Sequence, residues 1–303
     1  MEKFRIAATG HSVNYLPEYL AKEFGYFEEE NLSVDAIVPQ PWTVVLDEIK
    51  DGSSQAALGG IWVPSMYRDR GHSYEPFAQL SARCPLVLVA REQDGPFEFV
   101  NVANRTVLMP GGNGSSPGIF FKFILSQAGI NVDSVNFVQD LSGSMLAELF
   151  SGGMGDYLLI DPVSAARIVG GGNGYIASYL AEVGGPVPWS VYYADPASGP
   201  SHDAKVRFVR ALDRAVQWLR GHDAEEISDF LVATYPSLSA EALVNHVNQL
   251  RTWGMWDTAR IDRDSYDRWQ QGIFEGHLVD APIEYSSFVD STVADDAGVG
   301  GVR

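Results

Sequence analysis

Apolar positions alternate along the chain between short unbroken runs and stripes at helical spacing. Phe4 to Thr9 predicts a strand, and Tyr15 to Gly25 predicts a helix with Leu16, Leu20 and Phe24 on one stripe and Gly25 as its stop. Leu32 to Val38 predicts a second strand, Thr43 to Asp51 a short helix, and Gln55 to Leu58 a third strand ending at Gly59-Gly60. Strand, helix, strand, helix, strand is the order of a parallel, doubly wound sheet, so the fold class is α/β. Pro85 to Ala90 is apolar throughout, as in a strand buried on both faces.

A second series follows: strands at Thr106–Met109, Val135–Gln139 and Tyr157–Ile160, with helices at Ile119–Ala128, Ser144–Phe150 and from Asp161-Pro162 to Val169. Val187 to Asp195 reads as a strand crossing back. The remainder is helical: Ala204–Arg220, Ala224–Thr234, Ser239–Trp253 with Ser239 as cap, and Asp262–Glu275. The tryptophans of this region, Trp218, Trp253, Trp256 and Trp269, are assigned to its packing. The expected organisation is two αβ lobes joined by two hinge crossings. Residues 1–90 plus 190–303 form lobe I with a helical belt, 91–189 form lobe II, and 295–303 are a flexible, Gly-rich tail. Such a hinge architecture takes a ligand in its interlobe cleft.

Composition narrows the function. The net charge of −18 over 303 residues repels nucleic acid and anionic lipid. A single cysteine, Cys84, rules out an internal disulfide, and six scattered histidines show no ligand spacing, so no metal and no cofactor is expected. No run of about 18 apolar residues is present to span a membrane. The N-terminus enters a strand directly, without the apolar stretch of a secretory leader. The chain as written is expected in the cytoplasm, or in the periplasm or at the cell surface if a leader has been removed. A monomer or dimer is expected.

Ligands of open α/β sheets bind beyond the carboxyl ends of the strands. Those ends carry Gly10–Tyr15, Pro39–Thr43, Gly59–Pro64, Gly111–Pro117 and Asp161–Ser164. The candidate ligand contacts are therefore His11, Ser12, Tyr15, Trp42, Gly60, Trp62, Asn113, Ser115, Ser116 and Asp161, together with Arg83, Trp189 and Tyr192. Ser115 or Ser116 would cap a helix opening at Pro117, where free N–H groups can hold an anion; the plain alternative is a capped helix alone. Trp42, Trp62 and Trp189 can wall a planar ligand or simply fill a core. Gly59 and Gly60 permit close approach to the backbone. Arg83 can pair with a sulfonate, carboxylate or phosphate, or stay solvated. Asp161 is an N-cap carboxylate by default and an amine contact as the sharper alternative. Tyr192 and Tyr193 should face opposite sides of their strand.

Tyr15-Leu-Pro-Glu-Tyr-Leu-Ala-Lys-Glu-Phe-Gly-Tyr-Phe-Glu-Glu-Glu-Asn-Leu-Ser-Val-Asp35 resembles the opening helix and "GYF…E-G-L-x-V" stretch of the aliphatic sulfonate, nitrate and thiamine-pyrimidine-precursor binding proteins. Gln55–Gly60, Leu146–Ile160 before Asp161-Pro162, and Phe208–Trp218 match in the same order, so the resemblance spans nearly the whole chain. It implies the type II periplasmic-binding fold and a small-molecule ligand, anionic or aromatic, presented to an ABC permease. The same fold also hosts cytoplasmic enzymes: an aromatic-sulfinate desulfinase, aromatic decarboxylases and a thiamine pyrimidine synthase. Where that desulfinase places its nucleophilic cysteine, this chain has His11-Ser12, and the synthase's cysteine-rich iron motif is absent. If the chain is an enzyme on an aromatic or heterocyclic acid, His11 and Ser12 would be the catalytic pair. No third partner is spaced for a triad.

Overall fold

The computed structural model describes residues 1–41, 44–68, 70, 73–93, 95–111 and 116–300. The strands are β1 (Glu2–Ala8), β2 (Leu32–Ile37), β3 (Ala56–Gly60), β4 (Glu75–Ser81), β5 (Val87–Ala90), β6 (Thr106–Pro110), β7 (Asn136–Leu141), β8 (Tyr157–Ile160), β9 (Tyr175–Tyr179) and β10 (Ser190–Ala194). The helices are α1 (Leu16–Glu23), α2 (Tyr26–Glu29), α3 (Val45–Lys50), α4 (Trp62–Tyr67), α5 (Ser116–Gln127), α6 (Gly143–Ser151), α7 (Pro162–Gly170), α8 (Leu180–Val183), α9 (His202–Gly221), α10 (Ser228–Thr234), α11 (Ala240–Thr252), α12 (Arg263–Glu275) and α13 (Thr292–Asp296).

Two compact units result, one of residues 1–82, 186–271 and 278–303, the other of 83–185 and 272–277. The first holds a five-stranded sheet of order β2-β1-β3-β10-β4 and the second one of order β7-β6-β8-β5-β9. In each, four strands run in one direction and a single strand, β10 or β5, runs against both its neighbours, so the sheets are mixed where the pattern predicted parallel ones. The cause is the route of the chain. β5 and β10 are the strands that follow the first two passages between units, and each enters its sheet against the parallel set.

The boundaries differ from the expected 90/91 and 189/190. The first two passages fall at Ala82/Arg83 and Gly185/Pro186, because β5 pairs with β8 and β9 in the second sheet, and the end of α12 crosses again at Gln271/Gly272 and His277/Leu278. An unbroken apolar run reports burial on both faces and is silent about which sheet provides it. The expected tail is also corrected over residues 295–300, while residues 301–303 lie outside the described residues. Val293, Ala294 and Val299 are buried, the Val299 carbonyl accepts from Arg260 Nε at 3.1 Å, and the Gly300 carbonyl accepts from Thr258 Oγ1 at 3.2 Å.

Under the first sheet lies α9. Its Phe208 ring stacks on Phe4 at 4.6 Å and Phe27 at 5.1 Å and meets Tyr192 edge-on at 4.8 Å. Such aromatic pairs add about 0.5–1.5 kcal/mol each beyond the area they bury. The opposite face of α9 is polar: Arg210 pairs with Glu30 at 2.8 Å and Arg214 with Glu29 at 2.6 Å, holding α2 against it. α1 follows its predicted stripe, with Leu16 and Leu20 fully buried, and stops at Gly25, whose φ of 72° suits glycine. In the second unit, Phe150 from α6 and Ile168 from α7 cover Val87, Val89, Leu108, Leu158 and Ile160 of the sheet.

Candidate functional site

The carboxyl ends of β1, β3 and β4 and the start of β10 lie together in the first unit. After β1, the chain turns through Thr9–Ser12 into a short 3-10 turn, Val13–Tyr15. Asn14 organises this turn. The Ser12 hydroxyl donates to its Oδ1, its Nδ2 donates to Ser81 Oγ at 2.7 Å, and the Ser81 hydroxyl donates back to the Asn14 carbonyl at 3.1 Å. The Trp256 indole N–H reaches the same carbonyl at 2.9 Å. Asn14 and Ser81 are buried, so each bond replaces water that neither group can reach.

Tyr15 and Tyr19 fix the turn from the helix side. The Tyr15 hydroxyl lies 3.4 Å from Thr9 Oγ1 and also meets Ser190, and burial pushes its pKa up. The Ser12 amide donates to the Tyr19 hydroxyl at 3.4 Å. His11 is exposed, with its ring 5.0 Å from both Tyr19 and Tyr235. Between Tyr15 and Tyr19 sits Glu18. It is 4 % exposed, its Oε2 accepts from Tyr192 at 2.5 Å, and burial pushes its pKa up to about 7.

At the end of β3 the two glycines serve the protein's own side chains. A Cβ on Gly59 would lie 2.9 Å from the Thr9 methyl, and one on Gly60 would lie 2.1 Å from the Trp62 ring. Close approach is therefore required here, as the glycine pair suggests, and the groups that approach are Thr9 and Trp62. Trp62 and Trp189, 5 % and 6 % exposed, meet at 4.9 Å and both contact Trp269 at 6.3–6.4 Å. The two expected wall tryptophans thus belong to a three-ring cluster and are almost wholly buried in it.

Tyr192 is a correction. It is fully buried, its hydroxyl is bound to Glu18, and its ring packs on Phe208 under the sheet. Alternation sends the neighbouring Tyr193 to the other face, 6.0 Å from Tyr74, where its buried hydroxyl finds no hydrogen-bond partner among the described residues. Sequence offered no way to choose between these adjacent tyrosines.

In the second unit, Asp161 caps α7 by accepting from the Ser164 amide at 2.9 Å, its default role. Ser142, not singled out from the sequence, caps α6 in the same way. Arg83 donates from Nη1 to the Ala181 carbonyl at 3.1 Å, so one arm of its fork is engaged within the protein. Ser116 opens α5. Trp42, Asn113 and Ser115 lie outside the described residues. Among the described residues no cluster of His, Cys, Asp or Glu could hold a metal ion, and no helix is long and apolar enough to cross a membrane.

The missed residues are Asn14, Ser81, Glu18 and Ser190. The one signal was Glu18, an acid lying between Tyr15 and Tyr19 on the predicted helix; Asn14 stands just before that helix and carried none, and Ser81 lay in a strand that the pattern did not reveal.

Comparison with known proteins agrees with this architecture. The structure of the ligand-binding component of an ABC-type import system from Staphylococcus aureus, with zinc bound, superposes with a TM-score of 0.73 at 14 % identity, covering 98 % of this chain and 99 % of that one. The periplasmic aliphatic sulphonate binding protein SsuA of Escherichia coli gives 0.72 at 16 % identity, over 95 % and 97 %. These likenesses establish the periplasmic-binding-protein fold. YtlA of Bacillus subtilis (strain 168), by its name a candidate binding protein, is 25 % identical over 256 residues, 83 % of this chain and 76 % of YtlA. The sequence model of the NMT1/THI5-like family matches residues 12–226, and the chain belongs to that family.

Proposed function

We propose that this protein binds one small organic solute, anionic or aromatic to heterocyclic, and is the substrate-binding component of an ABC-type importer. Its partner is then a membrane permease, and its place of work the outer side of the membrane. The relatives named above, an import-system component and a sulphonate binding protein, support this reading.

One observation carries it over catalysis. A nucleophile at the turn after β1 would need a base within hydrogen-bond reach. The Ser12 hydroxyl instead donates to Asn14, and the His11 ring lies between Tyr19 and Tyr235. The turn is built to hold a shape and presents hydroxyl, imidazole and aromatic groups to a guest.

Native mass spectrometry of the purified protein, followed by a thermal-shift screen of alkane- and arylsulfonates, nitrate and pyrimidines, tests the proposal. A ligand at 1,000 times its Kd should stabilise the fold by about 4 kcal/mol. Recovery of that ligand unchanged after incubation is the expected result. Its conversion to a product would overturn the binding reading in favour of an enzyme on this fold.

A further inference from the structure

Glu18 is a buried acid that solute binding does not use. It lies in the first turn of α1, 4 % exposed, with the Tyr192 hydroxyl on β10 donating to it at 2.5 Å. No ammonium or guanidinium lies within ion-pair distance of it among the described residues. Lys22, one turn further along α1, acts on it through space but is mostly exposed and pairs with Asp35 at 3.7 Å. On α9, packed against α1, the charged groups are engaged elsewhere: Lys205 with Asp290, Arg207 with Glu2 and Asp203, Arg210 with Glu30 and Arg214 with Glu29. Asp213 of the same helix accepts from the Ala259 amide. The remaining titratable groups facing Glu18 are phenols, Tyr15 and Tyr19 from its own segment and Tyr192 from β10, with Tyr235 and His11 behind Tyr19.

The two residues that flank Glu18 reach the turn after β1. Tyr15 meets Thr9 Oγ1 at 3.4 Å, and the Tyr19 hydroxyl receives the Ser12 amide at 3.4 Å. A single helical turn therefore carries both a carboxyl bonded to the middle of the sheet and the two phenols that shape the sheet's tip. Taking the proton from Glu18 leaves a carboxylate in a dry site with one neutral donor and no counter-ion, which is costly unless the helix shifts to admit water.

We propose that the buried Glu18 carboxyl is a proton-operated latch: with Glu18 protonated, α1 is seated on β10 and holds the Thr9–Ser12 turn in place, and loss of the proton, which leaves an enclosed charge without a counter-ion, loosens that turn. Glu18 is then a positioning residue. Its effect on solute affinity rests on the proposed binding function; the latch itself does not.

Hydrogen exchange of the full chain between pH 6 and 8.5, corrected for the intrinsic pH dependence of exchange, tests it. Protection of amides 12–20 should fall about ten-fold or more in the native protein as local opening becomes easier, while β6 and β8 of the other unit stay unchanged. Glu18→Gln should abolish the pH dependence. Tyr192→Phe, which removes a donor that favours the anion, should move the transition to higher pH. Flat protection in the native protein, or the same fall in Glu18→Gln, would overturn the latch. Calorimetry with methanesulfonate and benzenesulfonate at pH 6 and 8.5 reads the coupling: affinity that drops at the higher pH in the native protein alone supports it, and equal affinity at both overturns it. If neither sulfonate binds at any pH, the sulfonate reading fails while exchange still decides the latch.

Discussion

The Trp62 ring covers Gly60 so closely that a Cβ at that position would fall 2.1 Å from it. The glycine is thus dictated by the tryptophan. Gly60→Ala should destabilise the protein by about 1–3 kcal/mol through overpacking. It should also shift tryptophan emission as Trp62 leaves Trp189 and Trp269. Combining it with Trp62→Leu should recover part of the loss in urea unfolding. An unchanged midpoint in the single variant would contradict the packing described.

Asp161 should behave as a cap. Asp161→Ala is expected to cost about 1 kcal/mol, and Asp161→Asn only a few tenths, because asparagine caps equally well. Chemical unfolding of the two variants decides this. A loss of solute affinity in Asp161→Asn at full stability would instead assign the carboxylate to the ligand.

Cys84 is fully enclosed, and burial pushes its thiol pKa well up. It should therefore resist an aromatic disulfide reagent at pH 8 in the folded protein and react promptly once unfolded. Rapid labelling of the native protein would show that its surroundings open.

Proton linkage at Glu18 has a definite sign. Its pKa rises on folding from about 4.5 to about 7, so the folded state holds a proton that the unfolded chain has released. That contribution is fully present below pH 4.5, declines between 4.5 and 7, and is gone above, a span of about 3 kcal/mol. The stability of the native protein minus that of Glu18→Gln, followed from pH 5 to 8, isolates the slope. A difference that does not fall with pH would show that Glu18 keeps its ordinary affinity for protons.

Much of the fold was legible in the sequence because its signals are local. The stripe Leu16, Leu20 and Phe24 with Gly25 as stop, the cap Ser239, and the apolar runs at 106–109 and 157–160 all appear where expected. β4 and β9 were missed for a physical reason. Glu75–Ser81 carries Pro76, Gln79 and Ser81, whose burial is supported by partners far off in sequence, such as the Ala259 carbonyl that accepts from the Gln79 amide at 2.8 Å. The site was legible by position and not by role. Strand ends pointed to His11, Ser12, Tyr15, Gly60 and Trp62, but which of them meet a guest and which meet each other depends on Ser81, Trp256 and Trp269, brought in from afar.

The strand order of the first unit has a consequence for biosynthesis. β10 lies between β3 and β4, although 108 residues separate the end of β4 at Ser81 from its own start at Ser190. A nascent chain emerging from the ribosome can assemble β1, β2 and β3, but β4 has nowhere to dock until that long excursion has been translated. The later-starting sheet is therefore complete first, and the earlier sheet waits, edge exposed, for one five-residue strand to close it.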